Sequence, residues 1–197
     1  MFLTIALIAT VIQFYNVPGS RWREALIYDR DAIAQGEWWR IWTGHLVHFG
    51  WAHFVPDAGL FVILGWLLES RHRLLSWFLL VTLPAVISGS LYFGDRGMTH
   101  YGGLSAVDMG LLVFLACSGW QKNWFDWFCP AVLAVYVAEI IIENVRGHGH
   151  GGGMIAFDDN SVHVATSAHV AAAIFAILVW GGRLAWSRRK SPGAPDP

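Results

Sequence analysis

Long stretches of this chain carry no charge, and that decides the solvent in which it can fold. From Leu74 to Phe93, twenty residues pass without an acidic or basic side chain. Only 14% of the 197 residues are charged and 55% are hydrophobic, where a soluble domain carries roughly 25% charged residues. Mean hydropathy is +0.46. Runs of this kind are stable where lipid surrounds them and each segment satisfies its own backbone groups as a helix. The formal net charge of -1 says nothing about nucleic acid, but no basic stripe is present and no nucleic-acid partner is expected. Cys117 and Cys129, both in or beside apolar runs, are too few for a disulfide framework and read as packing residues.

A hydrocarbon core about 30 Å thick asks for about 20 apolar residues of helix. Six segments are expected to span it, near 2–17, 53–69, 74–93, 104–119, 125–143 and 162–182. Between them lie 18–52, a hairpin at Ser70–Arg73, then 94–103, 120–124 and 144–161. The first run lacks a basic leader and an A-x-A site, so a retained helix is expected. One domain over 1–190 and a disordered tail over 191–197 complete the organisation. An even count puts both termini on one side. Arg71, Arg73, Lys122, Arg183, Arg188, Arg189 and Lys190 then fall in loops on the side of the termini, tight against helix ends. Arg21, Arg23, Arg30, Arg40, Arg96 and Arg146 fall opposite, and those of the first loop are interleaved with Glu24, Asp29, Asp31 and Glu37. The positive-inside rule therefore predicts cytoplasmic termini. The 18–52 loop holds Trp22, Trp38, Trp39, Trp42 and Trp51, rings that favour the headgroup region, and an interfacial substructure is expected there.

Polar residues within apolar spans are costly and are functional candidates by default. His48 and His53 lie at the outer end of the second span, with Asp57 one turn inside it. Ser105 opens the fourth span, and His169 lies about 10 Å into a sixth span that starts near 162. Gly102, Ala106 and Gly110 recur every four residues, as do Ala168, Ala172 and Ala176. Small stripes let helices approach closely in lipid. Packing these two together would bring Ser105 to His169, as a nucleophile and its base require. Against this stands the plain reading that the stripes only pack and that Ser105 bonds its own backbone.

These residues carry a family resemblance. The string from Trp39 through Thr43-Gly44-His45, His48 and Trp51 to His53, followed by Asp57, resembles the first loop and second helix of rhomboid proteases. Gly103-Leu104-Ser105-Ala106 resembles their G-x-S-G motif, and Ala168-His169 with Ala172 and Ala176 their A-H-x-x-G-x-x-x-G helix. The T-G-H string and Tyr101-Gly102-Gly103-Leu104-Ser105 resemble the rhombosortase subgroup, which processes proteins with C-terminal Gly-Gly-type membrane anchors.

The resemblance implies an all-α, six-transmembrane-helix bundle with an interfacial first loop. It implies a serine protease without cofactor, acting on membrane-anchored protein substrates near the outer face of a bacterial inner membrane. Ser105 would be the nucleophile and His169 the base. The Ser105 N–H, His53 and Asp57 would form the oxyanion site, with His48 and Gly103 structural beside it. Asp57 departs from the usual Asn, Ala106 from the motif's second Gly, and Met109 stands where many members carry an aromatic.

Two other readings stay open: a non-catalytic rhomboid relative that binds membrane helices, and a metal-handling protein. The second would rest on His148 and His150, with Asp158, Asp159 and His163 nearby; a mobile loop is the commoner meaning of such a Gly-His run. Glu139, Glu143 and Asp108 are further acids in apolar spans without an evident partner.

Overall fold

The computed structural model describes residues 1–16, 19–122, 127, 130–131, 133–135, 137–138, 141 and 165–190. The described chain is almost wholly helical. Its longer helices are α1 (Phe2–Tyr15), α5 (Trp51–Arg71), α6 (Arg73–Gly94), α7 (Ser105–Lys122) and α8 (Thr166–Lys190). Short elements α2 (Arg21–Leu26), β1 (Tyr28–Asp29), α3 (Arg30–Ala34), α4 (Arg40–Thr43) and a 3₁₀ turn at Gly44–Leu46 fill the first loop. Strand β2 (His100–Tyr101) precedes α7.

Among the described residues, Trp51–Arg71, Arg73–Gly94 and Thr166–Arg189 are long and apolar enough to cross a bilayer, while Phe2–Tyr15 and Ser105–Gly119 are apolar but shorter. The expected span near 125–143 is described only at scattered positions, and those between 130 and 141 are helical. Three boundaries differ from the sequence expectation. The Ser70–Arg73 hairpin is tighter, because His72 alone leaves helical geometry (φ −148°, ψ 67°) between α5 and α6. Helix α8 begins at Thr166, with Ala165 outside it, and it continues to Lys190. His169 therefore sits one turn into its helix, about 5 Å rather than 10 Å deep.

Helix α7 is the centre of the bundle. Every residue from Leu104 to Ala116 is buried, as suits a segment that is apolar all round. Around it α5 presents Phe61, Leu64 and Leu68, and α6 presents Leu79, Leu83, Ile87 and Leu91, all fully buried at three- and four-residue spacings. Helix α1 lies on α5, where the Phe2 ring meets Phe61 at 5.0 Å and covers Gly65. The opposite faces carry Trp66, Leu74, Phe93 and Leu178 exposed, the pattern of surfaces that meet lipid.

The first loop is a folded unit. The buried Arg40 guanidinium donates to the carbonyls of Glu24 (2.6 Å) and Ile27 (2.8 Å) and to the Glu37 carboxylate (2.6 Å). Thr43 Oγ1 donates to the Leu26 carbonyl at 2.7 Å. Trp42 Nε1 reaches the Val81 carbonyl on α6 at 3.0 Å. Strands β1 and β2 pair antiparallel, Tyr28 with Tyr101 and Asp29 with His100, and so tie this loop to the segment that leads into α7. The five loop tryptophans are all exposed, as expected of an interfacial element.

Candidate active site

The approach to α7 passes through two glycines where a side chain would force its neighbours to move. Gly103 has φ +121°, and a Cβ there would stand 2.9 Å from His53 Cε1, 3.0 Å from His53 Nε2 and 3.5 Å from Asp57 Oδ2. Residues predicted from two motifs thus meet around one α-carbon, two positions before Ser105. A Cβ at Gly102 would stand 2.7 Å from the Val47 carbonyl. Gly102 therefore packs on the first loop, not on α8 as its place in the small-residue stripe suggested. Gly110 does serve the helix contact: a Cβ there would meet Leu83 on α6 at 2.5 Å and the Ala172 carbonyl of α8 at 3.4 Å. Ala106, Ala168, Ala172 and Ala176 are all buried.

Ser105 is the first residue of α7 and is buried at 8% exposure. Its N–H leaves the positive end of the helix, where an anion is favoured. His169, 4% exposed, is in the first turn of α8, the helix packed most closely on α7. Its Nδ1 lies 2.9 Å from the Ala165 carbonyl. A carbonyl can only accept, so Nδ1 carries the hydrogen, and in the neutral ring Nε2 carries the lone pair. Beside it, Ser167 Oγ donates to Asp95 Oδ2 at 2.8 Å and joins the start of α8 to the end of α6.

The histidine–aspartate group under Gly103 has an equally definite arrangement. His48 Nδ1 gives its hydrogen to the Leu46 carbonyl (3.3 Å), and His48 Nε2 accepts the Leu104 N–H (3.3 Å). Both nitrogens are thus committed in a neutral ring, and burial foremost holds its pKa below the ordinary histidine value. Asp57 Oδ2 lies 3.5 Å from His48 Nε2 and 3.2 Å from His53 Nε2. Since His48 has no hydrogen to offer on that side, His53 is the ring nearest to pairing with Asp57, although Oδ2 makes no hydrogen bond of good geometry to either ring. The Phe49 ring stacks on His53 at 6.2 Å. His48, His53, Asp57 and Gly103 are therefore brought together at the N-terminus of α7.

Three features escaped sequence reasoning. His45 Nε2 reaches the Pro84 carbonyl (3.3 Å) and Ser88 Oγ (3.2 Å), fastening the first loop to α6. Burial lowers its pKa to about 4; its place in the T-G-H string was the available signal. The Asp95–Ser167 bond joins residues 72 apart and had no signal. Tyr101, 6% exposed, lies beside Ser105; its place at the head of the Tyr101–Ser105 string was the available signal, but no role was read from it. Asp108 is fully buried, and both its carboxyl oxygens lack a hydrogen-bond partner among the described residues. Glu139, Glu143, His148, His150, Asp158, Asp159 and His163 lie outside the described residues. Among the described residues, no group of three or more His, Cys, Asp or Glu side chains could hold a metal ion.

Comparison with known proteins points to one family. The family model described as Rhomboid domain matches residues 35–184. The Rhomboid protease GluP of Bacillus subtilis (strain 168) is 27% identical over 134 residues, covering 64% of this chain and 26% of that protein. The chain thus spans about a quarter of the length of the curated relative it matches.

Proposed function

The chain belongs to the rhomboid family of integral membrane proteins, and we propose that it is an intramembrane serine protease with Ser105 as nucleophile and His169 as its base. The observation that carries this reading is the His169 tautomer. With Nδ1–H held by the Ala165 carbonyl at 2.9 Å, the lone pair is on Nε2, the nitrogen a base needs. Ser105 Oγ attacks the scissile carbonyl while His169 Nε2 takes its proton. The tetrahedral oxyanion forms at the N-terminus of α7, facing the Ser105 N–H and His53, with Asp57 acting through His53. The His169 imidazolium then protonates the leaving amine, and an acyl–Ser105 ester remains. Water, deprotonated by His169, hydrolyses that ester and restores both residues. No cofactor takes part.

The substrate in this reading is a membrane-anchored polypeptide cleaved near the outer face. The rhombosortase-like string around Tyr101–Ser105 favours C-terminal Gly-Gly-type anchor helices. The single domain covers 1–190 and has six spans, with α1, α5, α6, α7 and α8 as five of them and the segment near 125–143 as the sixth. Both termini are cytoplasmic, and the site opens to the periplasmic side of a bacterial inner membrane.

The test is labelling of the detergent-solubilised full chain by a fluorophosphonate, alongside Ser105→Ala and His169→Ala. Labelling of the wild type that disappears in both variants is expected. Equal labelling of all three proteins would refute the dyad, and labelling of none would turn the reading toward a non-catalytic relative that binds helices.

A further inference from the structure

Tyr101 is the buried polar residue beside the nucleophile that this chemistry leaves unused. It is fixed from several directions. Its backbone pairs with Tyr28 in the β1–β2 ladder. Its ring stands edge-on to Tyr28 at 6.5 Å and to His45 at 5.4 Å. Burial, ahead of every other influence, pushes its pKa well above that of an ordinary tyrosine, so the side chain remains a phenol. A buried phenol seeks partners for its hydroxyl. The Tyr101 hydroxyl donates to the Gly103 carbonyl at 3.4 Å, a long contact for O–H···O. The same oxygen lies beside the Ser105 side chain and the Ala106 N–H.

One phenol has a single hydrogen to give and two lone pairs that accept. Here the hydrogen lies between the Gly103 carbonyl and Ser105 Oγ, which leaves the serine its own hydrogen for His169, and a lone pair faces the Ala106 N–H. One oxygen therefore stands over three of the four residues that carry the nucleophile into α7. Gly103 is at φ +121°, a conformation open to glycine and not to residues with a side chain, so this turn has backbone freedom that a neighbouring contact can restrict. The ring cannot follow local movements of that turn, because the ladder and the His45 contact belong to the first loop.

We propose that Tyr101 is a positioning residue for the nucleophile: its hydroxyl holds the Gly103–Ala106 turn and the Ser105 side chain where His169 can take the serine proton. The first loop, which grips the Tyr101 ring through Tyr28 and His45, thereby sets the nucleophile through one phenolic oxygen. This rests on Ser105 being the nucleophile, and the experiment separates the two claims.

Inactivation of the full chain by a fluorophosphonate is followed against probe concentration for the wild type and Tyr101→Phe, with thermal unfolding measured on both. Phenylalanine keeps the ring and removes only the hydroxyl. The expected result is a kinact about tenfold lower, with KI within twofold and Tm within a few degrees of wild type. A purely structural role would move Tm and leave kinact alone. Wild-type kinact in Tyr101→Phe overturns the inference and leaves the dyad standing. A Tyr101→Phe protein without a folding transition also overturns it, since the hydroxyl would then support the fold as a whole. A wild type that takes no label overturns the nucleophile assignment and this inference together.

Discussion

Gly103→Ala tests whether the floor of the site is as tightly set as its distances imply. The new methyl would lie 2.9 Å from His53 Cε1 and 3.0 Å from Nε2, where carbon atoms settle at about 3.5–4.0 Å. His53 must then retreat by about 0.5 Å or more, and its 3.2 Å contact with Asp57 opens. The backbone adds its own term, because φ +121° costs a residue with a side chain about 1–3 kcal/mol. A displacement of about 1 Å at a reacting group can cost about 10²-fold in rate, so half that distance corresponds to about tenfold. A destabilisation of about 2 kcal/mol in a chain of this size lowers Tm by about 4–8 °C. The expectation for Gly103→Ala is therefore fluorophosphonate labelling of Ser105 at least tenfold slower, together with a Tm several degrees lower. Gly59→Ala is the control: it faces outward from α5 with nothing within 4 Å of its Cβ, and alanine there gains up to about 1 kcal/mol of helix propensity. A Gly103→Ala protein that labels and melts like the wild type would refute the geometry of the His53–Gly103 contact.

Two further predictions follow from contacts outside the motifs. Burial lowers His45 from 6.5 to about 4, so the folded protein keeps it neutral while the unfolded chain protonates below about pH 6.5. Its stabilisation is complete above that value and is lost as pH falls toward 4, at most about 3 kcal/mol by linkage; unfolding measured from pH 7 to 4 should flatten in His45→Asn, and parallel curves would refute the assignment. Ser167→Ala removes the 2.8 Å bond to Asp95 that anchors the first turn of α8, and labelling should slow about threefold, with Asp95→Asn milder because an amide oxygen still accepts. Unchanged labelling in both would show that this clamp does not reach His169.

What the sequence made legible is what repeats along a helix. The empty charge pattern marked α5, α6 and α8, and the spacing of His53 and Asp57, four apart, put them on one face of α5. Gly110 against Ala172 followed from the small-residue stripes. What escaped was contact between distant segments. Gly102 shares the stripe's spacing yet precedes the helix, so its partner is the first loop. The two-residue strands Tyr28–Asp29 and His100–Tyr101 are too short to show a period of two. Their pairing, which fixes Tyr101, belongs to tertiary structure. The tautomers of His48 and His169 depend on carbonyls at Leu46 and Ala165, and a backbone acceptor leaves no trace in residue identity.

Those tautomers also decide what the aspartate at position 57 must do. An asparagine there would be uncharged and could donate to an oxyanion. A carboxylate repels one: two like charges about 5 Å apart at an effective dielectric of about 20 oppose each other by about 3 kcal/mol, as much as an oxyanion-hole donor contributes. His48 cannot offset that charge, because its Nδ1 hydrogen is spent on Leu46 and its Nε2 accepts from Leu104. The answer must come from His53, 3.2 Å away. For the proposed reaction the His53 ring must stand between the Asp57 carboxylate and the oxyanion, and on that condition aspartate in place of asparagine is compatible with catalysis.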